Sequence, residues 1–209
     1  MSAHKHLSTP FADAIGVFDS GVGGLSVLRA IRTALPAEDL VYVADSGFAP
    51  YGDKSESYIT ERTLTLGNWL ATSGVKAVTV ACNTATVVAI RHLRENTHLP
   101  VVAIEPAIKP ATNTTRSGVV GVLATTQTLQ SESVARLCQE FGAGKRILLQ
   151  PCPGWVEVVE RADLHSQQTE TLLRQFVEPL LEQGADTLVL DVHTIHFCAK
   201  FYKTSWAMK

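Results

Sequence analysis

The chain has 209 residues, of which 45% are hydrophobic and 18% charged, a globular composition that excludes wholesale disorder. A formal net charge of −2 leaves no basic footprint for nucleic acid or an anionic membrane. No apolar stretch approaches the roughly 20 residues of a membrane helix, and the polar N-terminus does not have the pattern of a signal peptide. Four cysteines without a CxxC pair favour a reducing compartment. We therefore expect a cytoplasmic protein.

Short apolar runs alternate with longer helical patterns along the chain. The runs that predict strands cover residues 14–18, 40–44, 77–81, 100–103, 118–123, 146–150 and 187–190. The patterns that predict helices cover residues 24–35, 57–73, 84–95, 128–141 and 167–183. Strand runs without polar alternation are typical of parallel sheets that helices cover on both faces. The sequence therefore predicts an α/β fold.

Two pairs of similar segments indicate an internal duplication. Residues 16–20 resemble residues 121–125, and residues 74–80 resemble residues 184–190, at an offset of roughly 100 residues. The alternative is that any two parallel strands look alike. Duplication predicts two similar three-layer α/β domains with mainly parallel sheets, divided near the proline-rich residues 98–110. The predicted parts are a flexible extension (1–13), a first domain (14–98), a second domain (99–190) and a separate tail (191–209).

The first strand run leads into a glycine-rich loop, Asp19-Ser20-Gly21-Val22-Gly23-Gly24. Glycine lets a backbone approach a ligand, and the amide groups at a helix N-terminus attract anions. A dinucleotide fingerprint fits poorly, because Ser26 replaces its third glycine and Asp19 is unsuited to binding pyrophosphate. The loop therefore favours a small substrate such as a carboxylate. A tight turn capped by Asp19 or Ser20 is the structural alternative.

Cys82 ends the third strand run, followed by Asn83 and Thr84 at the start of a predicted helix. The carboxyl ends of parallel strands line the crevice where such folds bind ligands. A helix N-terminus lowers a thiol pKa from its usual value of about 8.5. Most cysteines are small buried apolar residues, but these polar neighbours favour a reactive thiol. Tyr51 and Gly52, in a turn after the second strand run, are predicted to lie beside the same crevice.

Thr125 to Thr128 and three histidines are two further groups of polar residues. Thr125 and the residues up to Thr128 follow the fifth strand run, either as a helix cap or as part of the site. The histidines His92, His98 and His165 lack the spacing of metal ligands, so no metal site is predicted.

Five stretches together resemble the glutamate racemases of bacterial cell-wall synthesis. They are Asp19-Ser20-Gly21-Val22-Gly23-Gly24-Leu25, Pro50-Tyr51-Gly52, Ala81-Cys82-Asn83-Thr84-Ala85, Ile104-Glu105-Pro106 and Leu123-Ala124-Thr125. Their order and spacing agree from about residue 14 to residue 190. The resemblance implies two α/β domains with the active site at their interface. It also implies interconversion of L- and D-glutamate for peptidoglycan synthesis without a cofactor.

In this family two cysteines act as acid and base on opposite faces of the substrate, so that one removes the α-proton and the other returns one. The resemblance implies that Cys82 is one of these two catalytic groups. The implied partner is the small molecule glutamate, and a homodimer is compatible with the resemblance. The implied substrate-binding residues are Asp19, Ser20, Tyr51, Gly52, Asn83 and Thr84.

The second cysteine is absent from its expected position. Gly74 precedes Cys82 by eight residues, and the position eight residues beyond Gly184 holds Val192. The family has Gly-Cys-Thr-His-Tyr-Pro-Phe-Leu here, whereas residues 191–198 read Asp-Val-His-Thr-Ile-His-Phe-Cys. One deleted G turns the family codons GGA TGT ACA CAC TAT CCA TTT TTG into GAT GTA CAC ACT ATC CAT TTT TG. Those codons encode the residues of this chain up to the start of a Cys codon.

We therefore expect residues 191–209 to be an out-of-frame tail on a truncated racemase with little or no activity. Cys198 lies six residues past the expected position and is not expected to replace the second cysteine. Two other functions stay open. One is a related aspartate or hydantoin racemase, and the other is a non-catalytic remnant that binds an amino acid. A genuinely divergent tail is the alternative to the frameshift.

The frameshift hypothesis predicts the nucleotide sequence of the gene. Sequencing across the codons of Leu188 to Cys198 should give a segment that encodes Gly-Cys-Thr-His-Tyr-Pro once a single G is restored before residue 192. Codons that give no Cys-Thr-His in either alternative frame would contradict the hypothesis and leave a divergent tail.

Overall fold

A computed structural model describes residues 9–163 and 166–190, so the predicted tail and most of the predicted extension lie outside the described residues. The strands in these ranges are β1 (Ile15–Asp19), β2 (Leu40–Ala44), β3 (Ala77–Val80), β4 (Val101–Ala103), β5 (Val119–Ala124), β6 (Arg146–Pro151) and β7 (Thr187–Leu190). The α-helices are α1 (Leu25–Ala34), α2 (Glu56–Thr72), α3 (Asn83–Glu95), α4 (Ile108–Thr114), α5 (Thr126–Gln130), α6 (Glu132–Phe141), α7 (Trp155–Glu160) and α8 (Gln167–Glu182). A short 3₁₀ turn follows β2 at Ser46–Phe48.

The strands form two parallel sheets, as the apolar runs predict. The first sheet has the order β2-β1-β3-β4, and the second has the order β6-β5-β7. Every pair in both sheets is parallel. In the first sheet Ile15 of β1 lies level with Leu40 of β2 and with Ala77 of β3. The carboxyl ends of these three strands therefore meet at one edge of the sheet, and the α/β fold class is confirmed.

The division between the two sheets lies later in the chain than residue 98. Val101–Ala103 forms β4, which pairs with β3 and extends the first sheet. The next strand, β5, belongs to the second sheet. β4 therefore lies in the first sheet although the predicted second domain begins at residue 99, because proline marks a break in helix or strand without showing which sheet follows it. The chain crosses between the sheets within residues 104–118.

Each sheet buries its apolar residues against helices. On one face of the first sheet, Phe18 and Val80 pack in a core with Leu70 of α2 and Leu93 of α3. The second sheet has a core on both faces. Val120 and Val122 pack with residues of α4 and α6, whereas Leu123 packs with residues of α7 and α8. Alternate residues of one strand point to opposite faces, so a helical layer covers each side of β5.

Three helical segments differ from the prediction. The predicted helix over residues 128–141 is two helices, because Ser131 is extended and its hydroxyl accepts from Val134 N at 3.2 Å, which starts α6. The segments α4 and α7 were not predicted. Pro110 lies in the first turn of α4, where it is tolerated, and α7 spans only six residues. No helix in the described ranges is both long and apolar enough to cross a membrane.

Asp186 joins the start of β7 to the loop before β5. Its carboxylate accepts the hydroxyl of Thr115 at 2.5 Å and the backbone N–H groups of Arg116 and Ser117 at 2.8 and 2.7 Å. These hydrogen bonds, with that of Thr115 the strongest cause, hold the pKa of Asp186 well below its usual range. The carboxylate therefore stabilises the second sheet in its charged form.

Asp186→Asn should lower the urea midpoint of unfolding at pH 7. Because the pKa is lowered in the folded state, the charged group stabilises the protein above about pH 4, and this contribution is lost as the pH falls further. The difference between the variant and the parent should accordingly shrink from pH 7 to pH 3. Glu182→Gln, an exposed change at the end of α8, is the matched control. A difference that is equal at both pH values would show that the charge is not involved.

Candidate active site

The ends of β1, β2 and β3 bring the predicted site residues to one edge of the first sheet. Asp19 is the last residue of β1, Asp45 directly follows β2, and Cys82 is the second residue after β3. The Sγ atom of Cys82 lies 3.4 Å from the hydroxyl of Ser20. The thiol and the glycine-rich loop therefore form one site, as the strand pattern predicts.

The Asp19 carboxylate holds the glycine-rich loop in its turn. One carboxylate oxygen accepts Gly21 N at 3.2 Å and Gly24 N at 3.0 Å. A Cβ atom at residue 24 would lie 2.7 Å from the Asp19 Cβ and 2.9 Å from the Ala81 Cβ, so only glycine fits here. The amide of Val22 is also engaged, because it donates to Glu160 at 2.8 Å.

These bonds correct one expectation for the loop. Three of its amide groups already bind carboxylates of the protein, so they are not available for a substrate carboxylate in this conformation. The capped tight turn is the arrangement observed, with Asp19 rather than Ser20 as its cap. The Ser20 hydroxyl instead lies against the Cys82 thiol.

Cys82 is buried, with an exposed fraction of 4%. Its Sγ atom accepts Ala85 N at 3.4 Å and so caps the first turn of α3. Burial, and secondarily the charge of Asp19, raises the pKa of Cys82 to about 12, against smaller lowering effects of Ser20 and the Ala85 amide. The expected lowering by the helix N-terminus is therefore outweighed, because loss of hydration disfavours the thiolate. In this conformation the thiol is protonated at neutral pH.

Asn83 and Thr84 are buried in the first turn of α3. The Thr84 hydroxyl lies 3.2 Å from that of Thr125 and 3.3 Å from that of Thr128, both of which belong to the second half of the chain. Thr125 also accepts Thr128 N at 3.2 Å and caps α5. Thr125 is thus both a helix cap and a neighbour of the site, so both predicted alternatives hold.

Tyr51 and Gly52 lie beside the same edge but contact different groups. Tyr51 is buried, and its hydroxyl donates to Asp45 at 2.5 Å. Burial, and then the Asp45 hydrogen bond, raises the pKa of Tyr51 above its usual range. Gly52 lies against the second half, where a Cβ atom would be 2.9 Å from the Thr125 Cβ.

The structure adds three residues that the sequence analysis did not place in the site. Asp45 is buried and pairs with Arg62 of α2 at 2.7 Å, while Glu160 reaches the glycine-rich loop from α7. Asp45 directly follows the second strand run, a position that alone does not mark a site residue. Arg62 carried no motif, and Glu160 lies in a helix too short to show a period.

The other two described cysteines belong to the second half of the chain. Cys152 is buried in the core of the second half and donates to the carbonyl of Gln150 at 3.4 Å. Cys138 is half-buried on α6. Within residues 9–163 and 166–190, Cys82 is the only cysteine hydrogen-bonded to a predicted site residue, and the same ranges contain no cluster of three metal-ligating side chains. Val192 and Cys198 lie outside the described residues.

Comparison with known proteins connects this site to a family. A sequence model of the Asp/Glu/Hydantoin racemase family matches residues 15–190. The chain belongs to this racemase family. It is 55% identical over 180 residues to the glutamate racemase of Stutzerimonas stutzeri (strain A1501), which covers 86% of this chain and 68% of that protein.

Solved racemase structures share the fold of this family member. The Escherichia coli glutamate racemase, in complex with L-glutamate and the activator UDP-MurNAc-Ala, has a TM-score of 0.84 at 34% identity, over 92% of this chain and 73% of that chain. The Francisella tularensis glutamate racemase, in complex with D-glutamate, has a TM-score of 0.80 at 26% identity, over 94% and 74%. The resemblance drawn from the motifs is confirmed. The match to the racemase family ends at residue 190, directly before the predicted change of frame.

The charge of Asp19 gives a testable property of the thiol. Asp19→Asn should lower the pKa of Cys82 and speed its alkylation by iodoacetamide at pH 9 several-fold, because the thiolate no longer faces a like charge. Alkylation is followed for each cysteine by peptide mass spectrometry. Asp53→Asn, an exposed change in the nearby loop, should leave the rate unchanged. The buried Cys152 reports unfolding, so an equal acceleration at both cysteines would contradict the electrostatic explanation.

Proposed function

We propose that this racemase-family chain acts on the α-carbon of glutamate without a cofactor, with Cys82 as the proton-transferring thiol. One observation carries the proposal. The Cys82 thiol is buried beside Ser20 and the start of α3, where the two halves of the chain meet. A relative with 55% identity is a glutamate racemase, and structural neighbours hold L-glutamate or D-glutamate. These relatives support glutamate over aspartate or a hydantoin.

The electrostatics of the site explain how the thiol becomes a base. Cys82 is held protonated by burial and by the charge of Asp19. An amino acid carries an ammonium group, and an opposite charge near a thiol favours the thiolate. If the ammonium lies between Asp19 and Cys82, it pairs with the carboxylate and removes the like-charge effect on the sulfur. The substrate itself would thus generate the thiolate that removes its α-proton.

The neighbouring residues have different proposed roles around this proton transfer. We assign Asp19 to the substrate ammonium and Ser20, Asn83 and Thr84 to polar contacts with the substrate. The turn that contains Gly52 is assigned to a backbone contact. The Tyr51 hydroxyl is already bound to Asp45, so we assign Tyr51 to holding this turn in place.

The missing second thiol limits what the chain can do. Racemisation needs a proton donor on the face opposite the base, and the sequence has Val192 where the family has that cysteine. We propose that racemisation is lost or strongly impaired while one half of the chemistry remains. The Cys82 thiolate takes the α-proton, the resulting thiol exchanges with solvent, and a solvent hydron returns to the same face. The net change is isotope exchange with retained configuration.

The test is exchange of the glutamate α-proton in deuterated water. We expect one enantiomer of glutamate to lose its α-proton signal by NMR, with little appearance of the opposite enantiomer on chiral chromatography. Cys82→Ser should reduce exchange by at least about 100-fold, because general base catalysis contributes 10²–10⁴-fold. Cys138→Ser, a half-buried thiol on α6, is the matched control and should keep the activity.

Other outcomes identify the alternatives. Exchange with aspartate or a hydantoin but not with glutamate would indicate a related racemase. Glutamate binding by calorimetry without exchange would indicate a non-catalytic remnant. Racemisation at a rate typical of an enzyme would contradict the proposed impairment, and exchange that survives Cys82→Ser would contradict the role of Cys82.

We also propose that the chain supplies D-glutamate for peptidoglycan, lies in the cytoplasm and assembles as a homodimer. The family resemblance supports these three points. Light scattering of the purified chain tests the homodimer.

A further inference from the structure

Asp45 is the centre of a buried polar network beside the site. Its exposed fraction is 6%, and its two carboxylate oxygens accept three hydrogen bonds. The Tyr51 hydroxyl donates at 2.5 Å, and Arg62 donates through Nε at 3.0 Å and Nη2 at 2.7 Å. A buried carboxylate needs such partners, because an unpaired charge in the protein interior is strongly destabilising.

Arg62 is itself held in a defined position. Its side chain is 17% exposed, and its guanidinium carbon lies 3.6 Å from the centre of the Phe48 ring. A guanidinium that binds a carboxylate through two nitrogens and stacks on an aromatic ring has a fixed plane. Lysine could supply the charge at this place but not the paired hydrogen bonds.

Hydrogen bonds of this network hold both ends of the turn after β2, which spans residues 45–52. At its start, the backbone N–H of Asp45 donates to the carbonyl of Asp19 at 3.0 Å. Near its far end, the Tyr51 side chain is bonded to the Asp45 carboxylate. The next residue, Gly52, lies against Thr125 of the second half. The position of Gly52 therefore depends on a chain of contacts that begins at Arg62 on α2.

We propose that Arg62 is a positioning residue for the substrate-binding turn, acting through Asp45 and Tyr51 on Gly52. This inference rests on the proposed function, because it assigns the turn to glutamate. Arg62 does not touch the reacting atoms. Its loss leaves Asp45 without its cation, loosens the bond to Tyr51 and frees the turn to move.

The first test is a double-mutant cycle on glutamate affinity. Arg62→Met and Tyr51→Phe should each raise the Kd for glutamate, measured by calorimetry, about tenfold. This is the size expected for a hydrogen bond to a charged group. The double variant should bind glutamate with about the same affinity as the single variant that binds it less tightly, because both changes break the same connection. In the exchange assay KM should rise while the rate at saturation changes less than about twofold. Arg62→Lys should restore part of the affinity.

The control is Arg91→Met on α3. Arg91 forms an exposed pair with Glu95 at 3.1 Å, with side-chain exposures of 87% and 56%. Its substitution should therefore leave the affinity for glutamate unchanged. Additive effects of the two variants would overturn the proposal, as would an unchanged Kd in folded Arg62→Met. Circular dichroism and thermal melting establish that each variant is folded.

A second measurement does not depend on glutamate. Amide hydrogen exchange of the peptide that spans residues 49–54 should be at least about tenfold faster in Arg62→Met, while the peptide of α3 is unchanged, since only the turn loses its anchor. Unchanged exchange at residues 49–54 would overturn the positioning role. If the parent chain neither binds nor exchanges glutamate, the proposed function fails, and the hydrogen-exchange result still decides whether Arg62 holds the turn.

Discussion

The site depends on the buried carboxylate of Asp19, which accepts hydrogen bonds from backbone amides of the glycine-rich loop. Asp19 ends the central strand β1, accepts Gly21 N and Gly24 N, and leaves no room for a side chain at residue 24. Its backbone carbonyl accepts Asp45 N, which starts the turn after β2. Burial of the thiol and, secondarily, the charge of Asp19 raise the pKa of Cys82. One residue therefore sets the shape of the glycine-rich loop and the start of the neighbouring turn, and it contributes to keeping the thiol protonated.

The two halves of the chain meet through small polar contacts. The hydroxyls of Thr84 and Thr125 lie 3.2 Å apart, and the Glu160 carboxylate accepts Val22 N from across the interface at 2.8 Å. Thr84 and Thr125 lie at the starts of α3 and α5, whereas the second contact joins the last residue of α7 to the loop between β1 and α1. Val22 also packs against the apolar core of the second half, so the interface combines polar and apolar contacts.

The sequence was sufficient for the order of the strands along the chain and for most of the site. Apolar runs without alternation located all seven described strands to within about two residues, because burial on both faces requires that pattern. The glycine-rich loop and Cys82 were found because both follow such runs directly. The pairing of Arg62 with Asp45, and the reach of Glu160 to Val22, join residues that are distant in sequence. The raised pKa of Cys82 could not be foreseen either, since it is set by how completely the two halves bury the sulfur.

A thiol that is protonated in the closed protein is compatible with a thiol base. Without a substrate a permanently ionised sulfur would attack oxidants and electrophiles, because the thiolate is the reactive form. Here burial and Asp19 suppress ionisation, and a ligand with a positive charge near its α-carbon would offset both effects by stabilising the thiolate. An amino acid has this charge next to the proton to be removed, whereas its deaminated analogue has the carboxylate alone. If glutamate binds as proposed, the electrostatics of Asp19 and Cys82 would favour ligands that carry an α-ammonium group, whatever their side chain.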